Sequence, residues 1–254
     1  VVNPVETDLI LMILAAFGAA TLQSATGIGF GIIAGPVLLM QLNSGAAIQI
    51  SILLNILISV VLAPSIRAGV DKKLLSRFLM GSVVGLPLGF YVFLVVDANM
   101  LKIMAGVAIL VTMFFVLRNN RKSAQPDKDP SSARGSLPIG VVSGLMGGCL
   151  AMPGPIPAAW MNISGYDKAT VRSTILMLFI ISYSAALLLQ LSLAEITQDT
   201  WWTTLKLALP TVAGIYFGRM LVERITEQVF FILIVGVLAL TAVMLFSTVQ
   251  FQSI

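Results

Sequence analysis

The sequence predicts an all-α polytopic membrane protein made of two inverted-topology repeats of about five helical segments each. Of its 254 residues, 58% are hydrophobic and 10% are charged, whereas a soluble domain carries roughly 25% charged residues. Apolar runs of near bilayer-spanning length, roughly 20 residues, recur along almost the whole chain. A segment rich in glycine and proline interrupts the apolar sequence near the start of each half, which predicts broken or hairpin helices there.

Ten apolar segments account for most of the chain. Segments 27–42 and 154–163 are short and contain glycine or proline, so each either crosses the membrane or forms half of a re-entrant hairpin. The sequence leaves these two possibilities open. The ten segments are 9–23, 27–42, 46–66, 74–96, 100–118, 137–152, 154–163, 169–191, 200–222 and 228–248.

A polar, proline-containing stretch divides the chain into nearly equal halves. Residues 119–136 have the composition of a flexible linker. We therefore predict a first transmembrane repeat at 1–118 and a second, inverted repeat at 137–254.

Basic residues predict which side of the membrane each loop faces, because lysine and arginine accumulate in cytoplasmic loops. Loops 67–77 and 118–136 are basic, and two further loops near 168–172 and 219–224 bring the total to 13 of the 15 basic residues. Lys102 and Lys206 are the exceptions, and we expect both to snorkel to an interface. This arrangement makes all four loops cytoplasmic and puts both termini outside.

Two pairs of segments indicate an internal repeat. Residues 26–37, TGIGFGIIAGPV, align with 145–156, LMGGCLAMPGPI, and GLPLG at 85–89 aligns with GIYFG at 214–218. Glycine and proline are common in membrane helices, so chance similarity is the alternative. The coinciding positions of the first alignment are Gly29 with Gly148, Gly35 with Gly154, and Pro36 with Pro155.

Loop charges indicate that the two repeats are inverted. The basic loop 67–77 corresponds to the acidic loop 195–199, so the sign changes between equivalent positions. Inverted repeats with glycine- and proline-interrupted segments at matching places indicate a secondary transporter and the location of its binding site.

The interrupted helices predict an anion site near the membrane midplane. A helix break exposes backbone N–H groups that favour negative charge, and nearby polar side chains offer further contacts. For serines and threonines the alternative is a hydrogen bond to their own helix, and Arg172 is alternatively a simple positive-inside residue. The candidate substrate-binding residues are Gln23, Ser24, Thr26, Gly27, Gly29, Phe30, Gly31, Pro36, Asn55, Ser143, Gly147, Gly148, Cys149, Pro155 and Ser173, with Arg172 at the cytoplasmic entrance.

The residue types that are missing narrow the possible functions. The chain has no histidine and one cysteine, so we predict no catalytic residue, no metal site, no cofactor and no internal disulfide. No charged residue lies near the centre of a predicted span, which argues against a side-chain proton relay. We therefore expect transport driven by the solute gradient and no enzymatic activity.

The glycines and prolines of the two interrupted segments also carry a family resemblance. The chain resembles the TauE/SafE sulfite exporter family, also called the 4-toluene sulfonate uptake permease family, over essentially its whole length. Cys149, Met152 and PGPIP depart from the usual pattern of the second half. The matching residues are Gly27, Gly29, Gly31, Gly35, Pro36, Gly144, Gly147, Gly148, Gly154 and Pro155.

The resemblance implies transport of sulfite, sulfoacetate, or an aryl or alkyl sulfonate across the bacterial inner membrane, and we expect a secondary carrier that works by alternating access. Both termini are then periplasmic, and the expected partners are a small anion and membrane lipid, without nucleic acid. An anion-selective channel is the first alternative. An intramembrane enzyme fits less well, because no span carries a buried acid pair or a Ser–Lys pair.

Overall fold

The computed structural model describes residues 4–27, 29–65, 69–120, 135–222, 235–236, 239–245 and 247–248. These residues form α-helices and one short 3-10 helix, with no strand among them. Among the described residues, three helices are long and apolar enough to cross a membrane, namely Asp8–Thr26, Lys72–Val95 and Lys168–Leu193. The predicted class, an all-α polytopic membrane protein, is confirmed.

The helices follow the predicted apolar segments closely. The short 3-10 helix Ala63–Ser65 extends the third helix. Most of the linker 119–136, part of the predicted segment 228–248, and Arg67 lie outside the described residues. The helices are α1 Pro4–Thr26, α2 Phe30–Leu42, α3 Ala46–Leu62, α4 Lys72–Val95, α5 Ala98–Asn120, α6 Ser136–Leu150, α7 Pro155–Ile163, α8 Lys168–Leu193 and α9 Gln198–Val222.

Both predicted helix interruptions are present. The first break, at Gly27 and Gly29, separates α1 from α2, and the second break, residues 151–154, separates α6 from α7. At 1.5 Å per residue, the 13 residues of α2 extend about 20 Å and the 9 residues of α7 about 14 Å. Neither helix alone spans a hydrocarbon layer of about 30 Å.

Two pairs of helices are in close backbone contact through glycine. Gly85 and Gly89 of α4 lie directly against the carbonyl groups of Val141 and Leu145 in α6. Gly214 and Gly218 of α9 lie in the same way against α1. The glycines of the aligned sequences GLPLG and GIYFG therefore both allow close helix–helix packing, since small residues let membrane helices approach closely.

The central helices α3 and α8 run antiparallel. Gln49, near the start of α3, contacts Gln190 near the end of α8, and Gly69, beyond α3, lies against Ser173 near the start of α8. We call the end of the bundle with the α2–α3 and α8–α9 connections the Gln49 end. The opposite end, with the α3–α4 and α7–α8 connections, is the Arg172 end.

Lys102 does not snorkel as expected. Its side chain is only 4% exposed, and Nζ donates a 2.8 Å hydrogen bond to Oδ1 of Asn43. Asn43 caps the end of α2, where the helix dipole presents partial negative charge that favours a cation. The helix end provides the polar environment that we had expected the interface to supply.

Candidate functional site

Glycine is required at the first break for two reasons. Gly27 has φ +87° and Gly29 has φ +154°, a range that side-chain-bearing residues rarely adopt. A Cβ atom at Gly27 would also lie 2.9 Å from Cγ of Arg172. The first break therefore combines a backbone conformation that favours glycine with close contact to α8.

Gln23 joins the two helices of the first break. Its Oε1 accepts a 2.8 Å hydrogen bond from the backbone N–H of Phe30, the first residue of α2. Its Nε2 donates to Oδ1 of Asn55 in α3 at 3.1 Å. Both amides are almost fully buried, and Asn55 donates in turn to the carbonyl of Ser51. Gln23 thus satisfies a free N–H group of α2 and connects the break to the centre of the bundle.

Arg172 caps the other side of the first break. Its Nη2 donates a 2.7 Å hydrogen bond to the carbonyl of Ser24 in the last turn of α1. A cation is favourable here because the carbonyl end of a helix carries partial negative charge. The Nε atom of Arg172 is buried and has no hydrogen-bond partner. The residue predicted at the cytoplasmic entrance therefore lies at the break itself.

The second break is held by hydroxyl groups. Ala151 adopts the left-handed conformation, with φ +54°, and its carbonyl accepts a 2.8 Å hydrogen bond from the hydroxyl of Tyr183. Ser143 Oγ donates to the carbonyl of Pro153 at 2.6 Å. We did not predict a role for Tyr183. The available signal was a tyrosine inside an apolar run, because a buried tyrosine hydroxyl generally needs a partner.

The two breaks are in direct contact. A Cβ atom added to Gly31 would lie 2.6 Å from the carbonyl oxygen of Ala151, and one added to Gly35 would lie 3.5 Å from the terminal methyl of Met152. Phe30 is fully buried beside this contact. The first turns of α2 thus pack directly against the residues between α6 and α7.

The other predicted residues differ in what they contact. Ser24 and Thr26 donate to carbonyl groups of their own helix, as the alternative interpretation anticipated, and Gly148 lies against α4 at a helix–helix contact. Ser173 lies beside Gly69 at the Arg172 end. The remaining predicted residues are near a break or buried, namely Gly147 against Pro153, Pro155 as the first residue of α7, and Pro36 and Cys149 in the interior.

Two cavities open at opposite ends of the α3–α8 pair. The cavity at the Gln49 end has a volume of about 360 Å³ and is lined by Gln49, Glu195 and Thr197 among others. Gln49 Nε2 donates to Oε1 of Gln190 and to the carbonyl of Glu195, both at 3.1 Å. The breaks lie between this cavity and the one at the other end.

The cavity at the Arg172 end is larger, about 550 Å³, and is lined by residues that precede α4 and α8. Asp71 and Asp167 cap these two helices through their side chains. Hydrogen bonds from Thr170 lower the pKa of Asp167, so this carboxylate stays charged. Within the described residues, no group of three or more metal-ligating side chains occurs.

The family model described as sulfite exporter TauE/SafE matches residues 12–245. The chain belongs to the TauE/SafE family. This membership and the apolar helices establish a multi-pass membrane transporter of the sulfite-exporter type. Comparison with curated proteins and with solved structures gave no match.

Proposed function

We propose that this TauE/SafE protein is a secondary carrier for a sulfur-containing anion, such as sulfite, sulfoacetate, or an aryl or alkyl sulfonate. The anion binds where the two helix breaks meet and crosses the bacterial inner membrane by alternating access. The contact between Gly31 and Ala151 carries this proposal. It joins the first turn of α2 to the non-helical segment between α6 and α7, one from each half, at a place between the two cavities.

The polar groups around the breaks suit an anion. The N-terminal end of α2 favours negative charge, and glycine allows a ligand to approach the backbone. Arg172 adds a guanidinium beside the first break. Oxyanions with several oxygen atoms accept multiple hydrogen bonds from such donors. The family description, sulfite exporter, supports a sulfur oxyanion in particular.

The helix pairs support alternating access between inverted repeats. The glycine contact between α4 and α6 corresponds to the one between α9 and α1. This correspondence is expected if α4 is equivalent to α9 and α6 is equivalent to α1 in the two repeats. The antiparallel helices α3 and α8 occupy equivalent central positions. In this class of transporter, one unit rocks against the other around a fixed site.

We further propose that the Arg172 end is cytoplasmic and that both termini are periplasmic. The basic residues Lys72, Lys73 and Lys168 lie at the Arg172 end, whereas the acidic residues Glu195 and Asp199 lie at the Gln49 end. This distribution follows the preference of lysine and arginine for cytoplasmic loops.

Transport by purified protein in liposomes tests the proposal. Radiolabelled sulfite, sulfoacetate and toluene sulfonate are compared with sulfate and chloride, with protein-free liposomes as the control. Saturable uptake that unlabelled anion on the opposite side accelerates supports a carrier. Linear uptake without such exchange identifies a channel, and no uptake of any sulfur anion would overturn the substrate class.

A further inference from the structure

A second arginine lies near Arg172. Arg219, in the last turns of α9, donates a 3.2 Å hydrogen bond from Nη2 to the carbonyl of Val61 at the end of α3. The preceding residue, Gly218, lies directly against Ser24, whose carbonyl accepts the hydrogen bond from Arg172. Arg172 therefore binds the last turn of α1, and α9 packs against the same turn at the residue before Arg219.

Among the described residues, the two arginines form a positive cluster without a carboxylate partner. The hydrogen-bond partners of the two guanidiniums, within the part of the chain that the structure describes, are backbone carbonyls. The Nε atom of Arg172 is withdrawn from solvent and has no partner. Two partly buried cations held together are unfavourable unless an anion offsets their repulsion.

The Gln49 end has no such pair among the described residues. Gln49 lies about one turn into α3, much as Arg172 lies about one turn into α8, but it is a neutral amide bonded to another amide. The buried cation Lys102 is in a different setting, because it is alone and bonded to Asn43. The guanidinium pair therefore distinguishes the Arg172 end from the Gln49 end.

We propose that Arg172 and Arg219 form an anion-binding site that holds a sulfite or sulfonate group between their guanidiniums, next to the first break. The planar guanidinium matches an oxyanion through paired N–H···O hydrogen bonds. This inference rests on the proposed function. It adds the binding site that the anion occupies at the Arg172 end. It also predicts that chloride, which has no oxygen atoms to pair, binds much more weakly.

Isothermal titration calorimetry of the purified protein with sulfite and toluene sulfonate tests this site. Arg219→Gln is the main variant, because Arg219 does not cap α1. We expect it to weaken anion affinity by roughly thirtyfold or more, and Arg219→Lys to restore part of the loss. Lys206→Gln, which removes the same charge from an exposed position of α9, is the matched control. Affinity of Arg219→Gln within about twofold of the native chain would overturn the inference.

Chemical modification separates this inference from the proposed substrate. Phenylglyoxal labels accessible arginines, and peptide mass spectrometry reports each one. We expect sulfate and toluene sulfonate, but not chloride, to protect Arg172 and Arg219 together. If the native chain binds no sulfonate or sulfite, the substrate proposal is wrong. The arginine site is overturned if no oxyanion, including phosphate, protects the pair.

Discussion

The two helix breaks use different side chains to support the same kind of interruption. At the first break, the amide of Gln23 binds α2 and the guanidinium of Arg172 binds α1. At the second break, the hydroxyls of Tyr183 and Ser143 bind backbone carbonyls. The first break therefore carries a charge, whereas the second, among the described residues, is held by neutral groups.

The comparison separates a requirement that both breaks share from a feature that only one of them has. Interrupting a helix leaves backbone groups unpaired, and each buried unpaired group costs about 1–3 kcal/mol. Both breaks meet this demand with a buried polar residue of a central helix, namely Asn55 of α3 acting through Gln23, and Tyr183 of α8. Only the first break adds positive charge. We therefore expect the first break to contribute most of the electrostatic attraction for the anion, and the second break to contribute mainly to the shape of the binding site.

We expect the largest loss of transport from a substitution that forces the two breaks apart. In Gly31→Ala the new methyl group would collide with the Ala151 carbonyl, a backbone group that cannot rotate away. We expect transport in liposomes to be abolished and the melting temperature in detergent to fall.

Gly18→Ala is the matched control for this variant. A Cβ atom at Gly18 meets nothing within 4 Å, so transport should remain normal, and stability should rise by roughly 0.5–1 kcal/mol because alanine favours a helix. Normal transport by Gly31→Ala would show that contact between the breaks is not needed.

A smaller effect is expected from Gln23→Leu. The substitution leaves the Phe30 N–H and the Asn55 carbonyl oxygen without their partner, which should destabilise the protein by about 1–3 kcal/mol. Thermal unfolding of this variant, of Asn55→Leu and of the double variant measures the coupling. Because both residues belong to one network, the double variant should lose less than the sum of the two single losses. Additive losses would contradict the proposed network.

Tyr183→Phe tests the neutral character of the second break. It removes one hydroxyl donor and retains the ring, so we expect a loss of stability of about 1 kcal/mol. Anion affinity should remain close to that of the native chain. If Tyr183→Phe weakened anion binding as much as Arg219→Gln, the contrast between a charged break and a neutral break would fail.

The smallest effect is expected from Lys102→Met. After this substitution Asn43 loses its hydrogen-bond donor, but Asn43 is exposed to solvent and can bond to water instead. Replacing a buried charged group by an apolar side chain is also often neutral for stability. Transport rate and melting temperature should both stay near the native values. A large drop in transport with unchanged stability would assign Lys102 to the anion path at the Gln49 end.

Local patterns predicted the helices and the two breaks well. The predicted segment 46–66 corresponds to α3 and its 3-10 extension, and 200–222 corresponds to α9. Glycine and proline marked the interruptions because their effects on backbone conformation act within a few residues. Ser51, Asn55 and Ser59, spaced four residues apart along α3, are all buried.

Contacts across the sequence were much harder to predict. Arg172 contacts Ser24 across 148 positions, and Gly31 lies against Ala151. Gln23 and Asn55 were chosen as possible ligands of the solute, yet their hydrogen bond to each other could not be read from the chain. A polar residue in an apolar run shows that a partner is needed without showing which one.

The sequence by itself therefore determined the membrane helices, the polar linker and the position of each break, because hydrophobic length and backbone propensity are local properties. Only the tertiary structure decided that the two breaks meet, that Tyr183 supports one of them, and that Arg172 and Arg219 lie near the same turn of α1. The physical reason is that lipid is as apolar as the helices, so helix association depends on close packing and on individual hydrogen bonds between distant residues. The apolar pattern of each helix does not encode those pairings.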